Sequence, residues 1–195
     1  MICYKGFNRD LVCTLGNGAF QYKVGQTYKE EKAQCVQTGF HAVEEPIQVF
    51  RWYSGNGARY CICEAKGDVH EDGADRISCT ELTLLKEVTK EQIAALECEW
   101  MRQRPNRDYD GFVQRNSGYA SKNEILIVRG TNPKASGDER ATLFLVKEKG
   151  KAHEKEIVSI DVIKVTEETK NIVFLSGGRI DAKSRIKKTP KARCD

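Results

Sequence analysis

Few residues of the chain have the types and spacing from which common catalytic centres are built. It has three histidines, but no Gly-Lys-Ser/Thr phosphate loop, no G-x-S-x-G elbow and no H-E-x-x-H helix. His41 lies between Gly39 and a predicted helix, which suits either a binding or catalytic role or a structural hydrogen bond. His70 and His153 lie in polar segments typical of solvated loops. His41 is therefore the histidine that we consider for a site.

The eight cysteines could supply zinc ligands or disulfides, but their spacing favours neither. Structural zinc usually takes ligands in C-x2-4-C pairs, and the closest pair here, Cys61 and Cys63, is separated by one residue. Alternation along a strand puts both sulfur atoms on one face. A chain of this length without a signal peptide is typical of a reducing cytoplasm. We therefore expect core thiols, no metal site and a cytoplasmic location.

The positive charge of the chain comes from its last 13 residues. The formal net charge is +4, residues 183–195 carry +5, and the other 182 residues carry −1. Such a tail predicts salt-sensitive contacts with a nucleic-acid backbone or another polyanion, the alternative being a solubilising end. It has no aromatic residue for base stacking. The cations that we predict to bind a partner are Lys183, Arg185, Lys187, Lys188, Lys191 and Arg193.

The rest of the chain alternates short apolar runs with turn residues, which predicts an α+β fold with mixed or antiparallel sheets and two short helices. We expect strands near 2–5, 20–23, 38–43, 58–65, 76–88, 124–129, 141–148, 156–165 and 171–176. The predicted units are an α+β module at 1–104, a loop or linker at 105–123, and an antiparallel β-meander at 124–182 packed on the first module. Two independent modules are the alternative. No apolar run approaches the ~18 residues of a membrane span.

Two segments have helix signals. Pro46 suits a first helical position and opens a short helix through residue 53. Thr89 and Gln92 form a capping-box pattern, followed at helical spacing by Ile93 and Trp100. This second helix should end at residue 104, before a proline, and pack its apolar face on the sheet.

The segment 105–123 has no apolar periodicity and is rich in turn formers. A loop of this length in a compact chain is usually a linker or functional. Its Arg107, Tyr109 and Phe112 belong to residue types that often anchor interfaces. We therefore predict these three as contacts for a partner.

Four stretches are similar to a family of uncharacterised phage and prophage proteins. They are Tyr4-Lys5-Gly6-Phe7, Gly39-Phe40-His41-Ala42 with the helix that follows, residues 59–69 and residues 128–135. The resemblance implies an accessory protein that binds a host protein or nucleoprotein complex in the host cytoplasm, for example as an inhibitor of host defence.

The order of three segments also resembles the layout of ADP-ribosyltransferases. These are Tyr4-Lys5-Gly6, Gly39-Phe40-His41 and residues 118–127. Three features depart from that layout: Lys5 stands where arginine or histidine is expected, no Ser-Thr-Ser is present, and Lys122 replaces the first glutamate of the paired-acid version.

This second resemblance implies a mono-ADP-ribosyltransferase that uses NAD, as the alternative to the accessory function. Lys5, His41 and Glu124 would be catalytic, and Gly6, Phe40 and Tyr119 would bind NAD. The carboxylate would stabilise the positive charge that develops on the ribose. From the residues alone, Lys5 and Glu124 could equally be exposed strand residues, and no cofactor is required.

Overall fold

The computed structural model describes residues 1–15, 18–71, 73 and 76–177. The chain forms two compact units, Met1–Glu97 and Cys98–Asp195. The basic tail predicted at 183–195 lies outside the described residues, and the predicted packing of 124–182 on the first module stays a prediction. Within the described ranges no helix combines the length and apolar character needed to cross a membrane.

The first unit is built on an antiparallel sheet. Its strands are β1 (Ile2–Phe7), β2 (Val12–Cys13), β3 (Phe20–Gln21), β4 (Thr27–Lys29), β5 (Phe40–Ala42), β6 (Arg59–Glu71) and β7 (Ile77–Val88). The main sheet has the order β1-β6-β7-β4, and β5 also pairs with β7, while β2 and β3 form a separate ribbon.

The main sheet curls so that both edges of β1 are hydrogen-bonded. One edge pairs with β6. At the other edge Tyr4 and Val43, the residue after β5, exchange two backbone hydrogen bonds of 2.8 and 2.9 Å. Continuing this antiparallel register places Gly6 opposite His41, but no bridge joins these two described residues. The seam between β1 and β5 is therefore closed at Tyr4 and open at Gly6.

Alternation explains the core of the first unit. Cys3, Lys5 and Phe7 share one face of β1, and Cys3 and Phe7 are fully buried there among residues of β6 and β7. Cys61 and Cys63 are also fully buried, so their predicted role as core thiols is confirmed. No disulfide joins the cysteines within the described ranges.

The two helices that the sequence predicts are present, and the second continues past Glu97, the last residue of the first unit. A 3₁₀ turn at Pro46–Gln48 leads into α1 (Val49–Trp52), and α2 covers Lys90–Gln103. The capping box at the start of α2 is confirmed, because the Thr89 N–H donates to Gln92 Oε1 at 2.9 Å and the Gln92 N–H donates to Thr89 Oγ1 at 3.2 Å. Ile93 of this helix is fully buried.

The second unit contains a mixed sheet. Its strands are β8 (Val113–Ala120), β9 (Ile125–Gly137), β10 (Thr142–Lys149), β11 (Glu156–Lys164) and β12 (Phe174–Leu175). The sheet order is β11-β10-β9-β12, with β8 on β9. The predicted α+β fold with mixed or antiparallel sheets and two short helices is confirmed.

Antiparallel pairing, as predicted for the meander, joins β10 to β11 and β12 to β9. The meander is wrong for β9, which runs parallel to both β8 and β10. Thr142 pairs with Ile125, although only four residues separate β9 from β10. A straight strand of the length of β9 would extend about 43 Å at ~3.3 Å per residue, so β9 must fold back. Its register against β8 shifts beyond Arg129, where the next β9 residue paired is Lys134.

The loop predicted over 105–123 is wrong for its second half, which forms β8. Among the described residues this strand pairs with β9 alone, and half of its residues are exposed. A polar edge strand lacks the apolar alternation by which strands are recognised in a sequence. The turn formers of this segment therefore gave the stronger, and misleading, signal.

Candidate functional site: an aromatic cavity in the first unit

The first unit contains a cavity of about 560 Å³ beside the open seam between β1 and β5. This volume lies within the range of roughly 300–1,000 Å³ that is usual for small-molecule sites. Its aromatic lining residues are Tyr4, Phe20, Tyr22, Phe40, Trp52 and Tyr53. The charged lining residues are Lys5, Glu30 and Arg76.

The aromatic lining is a packed group of rings. Phe20 packs against Tyr22 with ring centroids 4.7 Å apart, and its ring lies 5.7 Å from that of Phe40 in an edge-to-face arrangement. At the rim, the Arg76 guanidinium lies 5.0 Å from the centroid of the Trp52 ring. Phe20, Trp52, Leu15 and Val36 are all large apolar side chains that line the cavity and remain exposed. The cavity therefore has aromatic walls and an apolar rim.

Lys5 is the buried cation of this cavity, with 6% of the residue exposed. Its Nζ donates a hydrogen bond to the His41 carbonyl oxygen, and lies 5.4 Å from the centroid of Tyr22 and 5.8 Å from that of Phe7. No carboxylate among the described residues forms an ion pair with it. Lys5 thus bridges the seam where backbone pairing between β1 and β5 has stopped.

The geometry of His41 favours the structural alternative. Its Nε2 accepts a hydrogen bond of 2.8 Å from the Val36 N–H, and the ring also interacts with the Gly39 backbone. Burial, followed by the nearby charge of Lys5, lowers the pKa of His41 below 6.5. The neutral ring therefore fastens the loop before β5, and its Nε2 is occupied rather than available as a base.

The loop that His41 fastens has a strained backbone. Val36 has a φ of +73°, which is rare for a β-branched residue, and Gly39 has a φ of +86°. Glu30 Oε2 accepts the Gly39 N–H at 3.0 Å, and Ser78 Oγ donates to the Thr38 carbonyl oxygen. Strain of this kind persists where the surroundings over-determine it, and it is often found at ligand sites.

The structure brings together some of the predicted transferase residues and separates others. Lys5, Gly6, Phe40 and His41 line the cavity of the first unit. Glu124 belongs to the second unit, where its Oε2 accepts the Ser121 N–H at 2.9 Å.

Tyr119 also belongs to the second unit, and its hydroxyl donates to Asp138 Oδ1. Burial raises the pKa of Tyr119 to about 12, as do its hydrogen bond and the negative charge of Asp138. The hydroxyl is therefore neutral at pH 7. Neither Tyr119 nor Glu124 lines the cavity.

The predicted partner contacts at 105–112 are partly built into the fold. The Tyr109 hydroxyl donates to Glu148 Oε1 at 2.7 Å, and three cations lie within 4.5 to 5.3 Å of its ring centroid. Arg107 lies 5.0 Å from the centroid of the Trp100 ring, while Phe112 is 41% exposed. Partner binding by Arg107, Tyr109 and Phe112 stays a prediction.

Sequence reasoning missed Tyr22, Trp52 and Arg76 as site residues. Phe20 and Tyr22 alternate along the chain, so a shared face was the signal that could have found them. Trp52 and Arg76 are far apart in the sequence, and only the tertiary structure brings them to one rim.

Comparison with known families gives one match, which covers the first half of the chain. Residues 1–96 match the model of a family described as Domain of unknown function (DUF7666). The chain matches no curated protein and no solved structure. Every residue that lines the cavity lies within the DUF7666 match. The match names no activity, so the resemblances to phage proteins and to ADP-ribosyltransferases stay predictions.

The described ranges contain no group of three or more His, Cys, Asp or Glu residues arranged to hold a metal ion. Glu30 is the one carboxylate among the described residues that line the cavity, and it lies there with the cations Lys5 and Arg76. The features of the cavity are those of an organic ligand site.

Proposed function

We propose that the DUF7666 region is a binding module for a small molecule that contains a planar aromatic ring. The observation that carries this proposal is the cavity of about 560 Å³ walled by six aromatic side chains. Aromatic rings offer their faces and edges to another ring at centroid separations of about 4.5–7 Å. A planar ring is thus the shape and chemistry that such walls complement.

The open seam supplies a polar edge for this ring. On an antiparallel strand, the N–H and C=O of one residue point to the same edge, and residues two apart share that edge. Since Tyr4 is bonded to Val43 across the seam, the N–H and C=O of Gly6 point there as well. Within the described ranges, no backbone hydrogen bond is made by the N–H or the C=O of Gly6 at this edge. A ligand with both an acceptor and a donor would fit this edge.

The proposed activity is binding rather than catalysis. His41 is committed to the loop backbone, and Glu124 closes a turn in the second unit. NAD remains one candidate ligand, since it carries two aromatic rings and the predicted NAD contacts Gly6 and Phe40 line the cavity.

The two tryptophans allow a direct test, because Trp52 lies at the rim and Trp100 is buried in the second unit. We would titrate the full chain with NAD, nicotinamide, adenine and benzoate while recording tryptophan emission. The expected result is a saturable change that is absent in Trp52→Phe and kept in Trp100→Phe. If none of the four compounds gives a saturable change in emission, and calorimetry detects no binding either, the proposal is contradicted.

The second candidate function is an accessory protein that binds a host protein, and the exposed apolar rim favours it. The variant Leu15→Ser/Val36→Ser should then weaken capture of a partner from host extract. Leu85→Ser is the matched control, since this exposed leucine does not line the cavity. Equal capture by both variants argues against a protein partner at the rim.

A further inference from the structure

We infer that the ligand of the aromatic cavity carries a carboxylate on its ring, and that the Lys5 ammonium binds this carboxylate. This inference rests on the proposed binding function and names the ligand class. It depends on the burial of Lys5, on its neighbours and on the charge balance of the cavity.

The position of Lys5 is one where an apolar residue would be expected. It lies between Cys3 and Phe7 on the face of β1 that enters the core, and 6% of it is exposed. Lysine is almost never buried to this extent without a paired charge, because removing an ammonium from water has a large free-energy cost. A lysine kept at this position needs a counter-charge, and none of the described residues provides one.

The ammonium still has donors for a ligand. It carries three N–H groups, and the His41 carbonyl oxygen accepts one. The rings of Tyr22 and Phe7 lie near it and stabilise a cation but accept no conventional hydrogen bond. Lys5 also lines the cavity. A carboxylate placed in the cavity would accept the remaining N–H groups in a charge-assisted hydrogen bond.

The charge of the cavity fits a monoanion. Its charged lining residues are two cations, Lys5 and Arg76, and one acid, Glu30. Glu30 uses Oε2 to accept the Gly39 N–H. The pKa of His41 is lowered, so this ring adds no charge at pH 7. An aromatic monocarboxylate therefore balances the lining.

The test compares matched acids and amides. Nicotinate and nicotinamide, and likewise benzoate and benzamide, share ring and shape but differ in charge. Calorimetry on the full chain should show each acid binding at least about tenfold more tightly than its amide, the lower limit for a charge-assisted hydrogen bond. Lys5→Met, which keeps the length and removes the charge, should abolish this preference, so that each acid binds no more tightly than its amide. Lys5→Arg should retain it.

The outcomes separate this inference from the proposed function. If acids and amides bind the wild-type chain equally, or if Lys5→Met keeps the preference, the inference is wrong while the binding function stands. If no aromatic compound binds, the proposed function is wrong and the inference with it. Should Lys5→Met fail to fold, as judged by near-ultraviolet circular dichroism, the wild-type preference and the Lys5→Arg titration decide.

Discussion

Glu148 in the second unit is the counter-ion of a buried arginine, and its substitution by glutamine gives a sharp stability test. Arg129 is 1% exposed, and its Nε donates to Glu148 Oε2 at 2.8 Å. The Tyr109 hydroxyl donates to the other carboxylate oxygen at 2.7 Å. Lys155 Nζ lies 3.6 Å from that same oxygen. The carboxylate therefore neutralises a cation that has almost no access to water.

Glu148→Gln keeps the side-chain shape but leaves the Arg129 charge without a counter-ion. Breaking a buried pair by removing one partner costs about 3–5 kcal/mol. Glutamine retains an oxygen that can accept from Arg129, so we expect about 3 kcal/mol, the lower end of this range. For a unit that spans residues 98–195, that loss lowers the unfolding midpoint by roughly 12–24 °C.

Trp100 reports the unfolding of the second unit once Trp52→Phe has removed the other tryptophan. In this background, urea titrations followed by tryptophan emission should show a lower free energy of unfolding for Glu148→Gln. Glu99→Gln is the control, because Glu99 pairs with Arg102 at the exposed surface, and its midpoint should stay within experimental error. Equal midpoints for both variants would refute the view that the buried pair needs its charge.

Three further predictions concern acid and helix capping. Burial raises the pKa of Glu148, but hydrogen bonds from Tyr109 and Arg129 outweigh it, so that the folded pKa lies below 4.5. The ionised Glu148 therefore stabilises the fold above pH 4.5, and this contribution is lost as the pH falls through the pKa of the folded state. Between these two pH values, the urea midpoint of Glu148→Gln should depend less on pH than the wild-type midpoint does. By NMR, His41 should titrate with a midpoint below pH 6.5, since protonation would break its bond to the Val36 N–H; a midpoint at or above 6.5 contradicts this geometry. Thr89→Ala should lower the free energy of unfolding by about 1 kcal/mol in urea titrations, and no change would mean that the cap is not formed in solution.

The parts of the fold that the sequence predicts are those with local signals. The capping box of Thr89 and Gln92 lies within four residues, and Cys61 and Cys63 follow the two-residue period of a strand. Both predictions are confirmed. Each concerns residues that are close together in the sequence, so no distant contact had to be known. The parallel pairing of β9 with β10 has no such signal, since it depends on a fold-back within β9.

The candidate site divides in the same way. Lys5, Phe40 and His41 were predicted from short motifs, and the structure brings them to one cavity. The role of His41 depends on its Val36 contact, and the burial of Lys5 on the closing of the sheet at Tyr4; neither follows from spacing. Glu124 shows the opposite limit, because a short segment that resembles the transferase layout contains a glutamate that accepts a backbone hydrogen bond within a turn.

The four-residue connection between β9 and β10 sets where this chain can accept inserted sequence. Ala141 is fully buried, the Arg140 N–H donates to the Val165 carbonyl oxygen, and a Cβ added at Gly137 would lie 3.0 Å from the Ala120 carbonyl oxygen. Extra residues there would have to displace packed backbone. The turn between β10 and β11 is exposed over residues 150–154 and joins adjacent antiparallel strands. Epitope tags, fluorophore sites or natural insertions are therefore expected at 150–154 and not at 138–141.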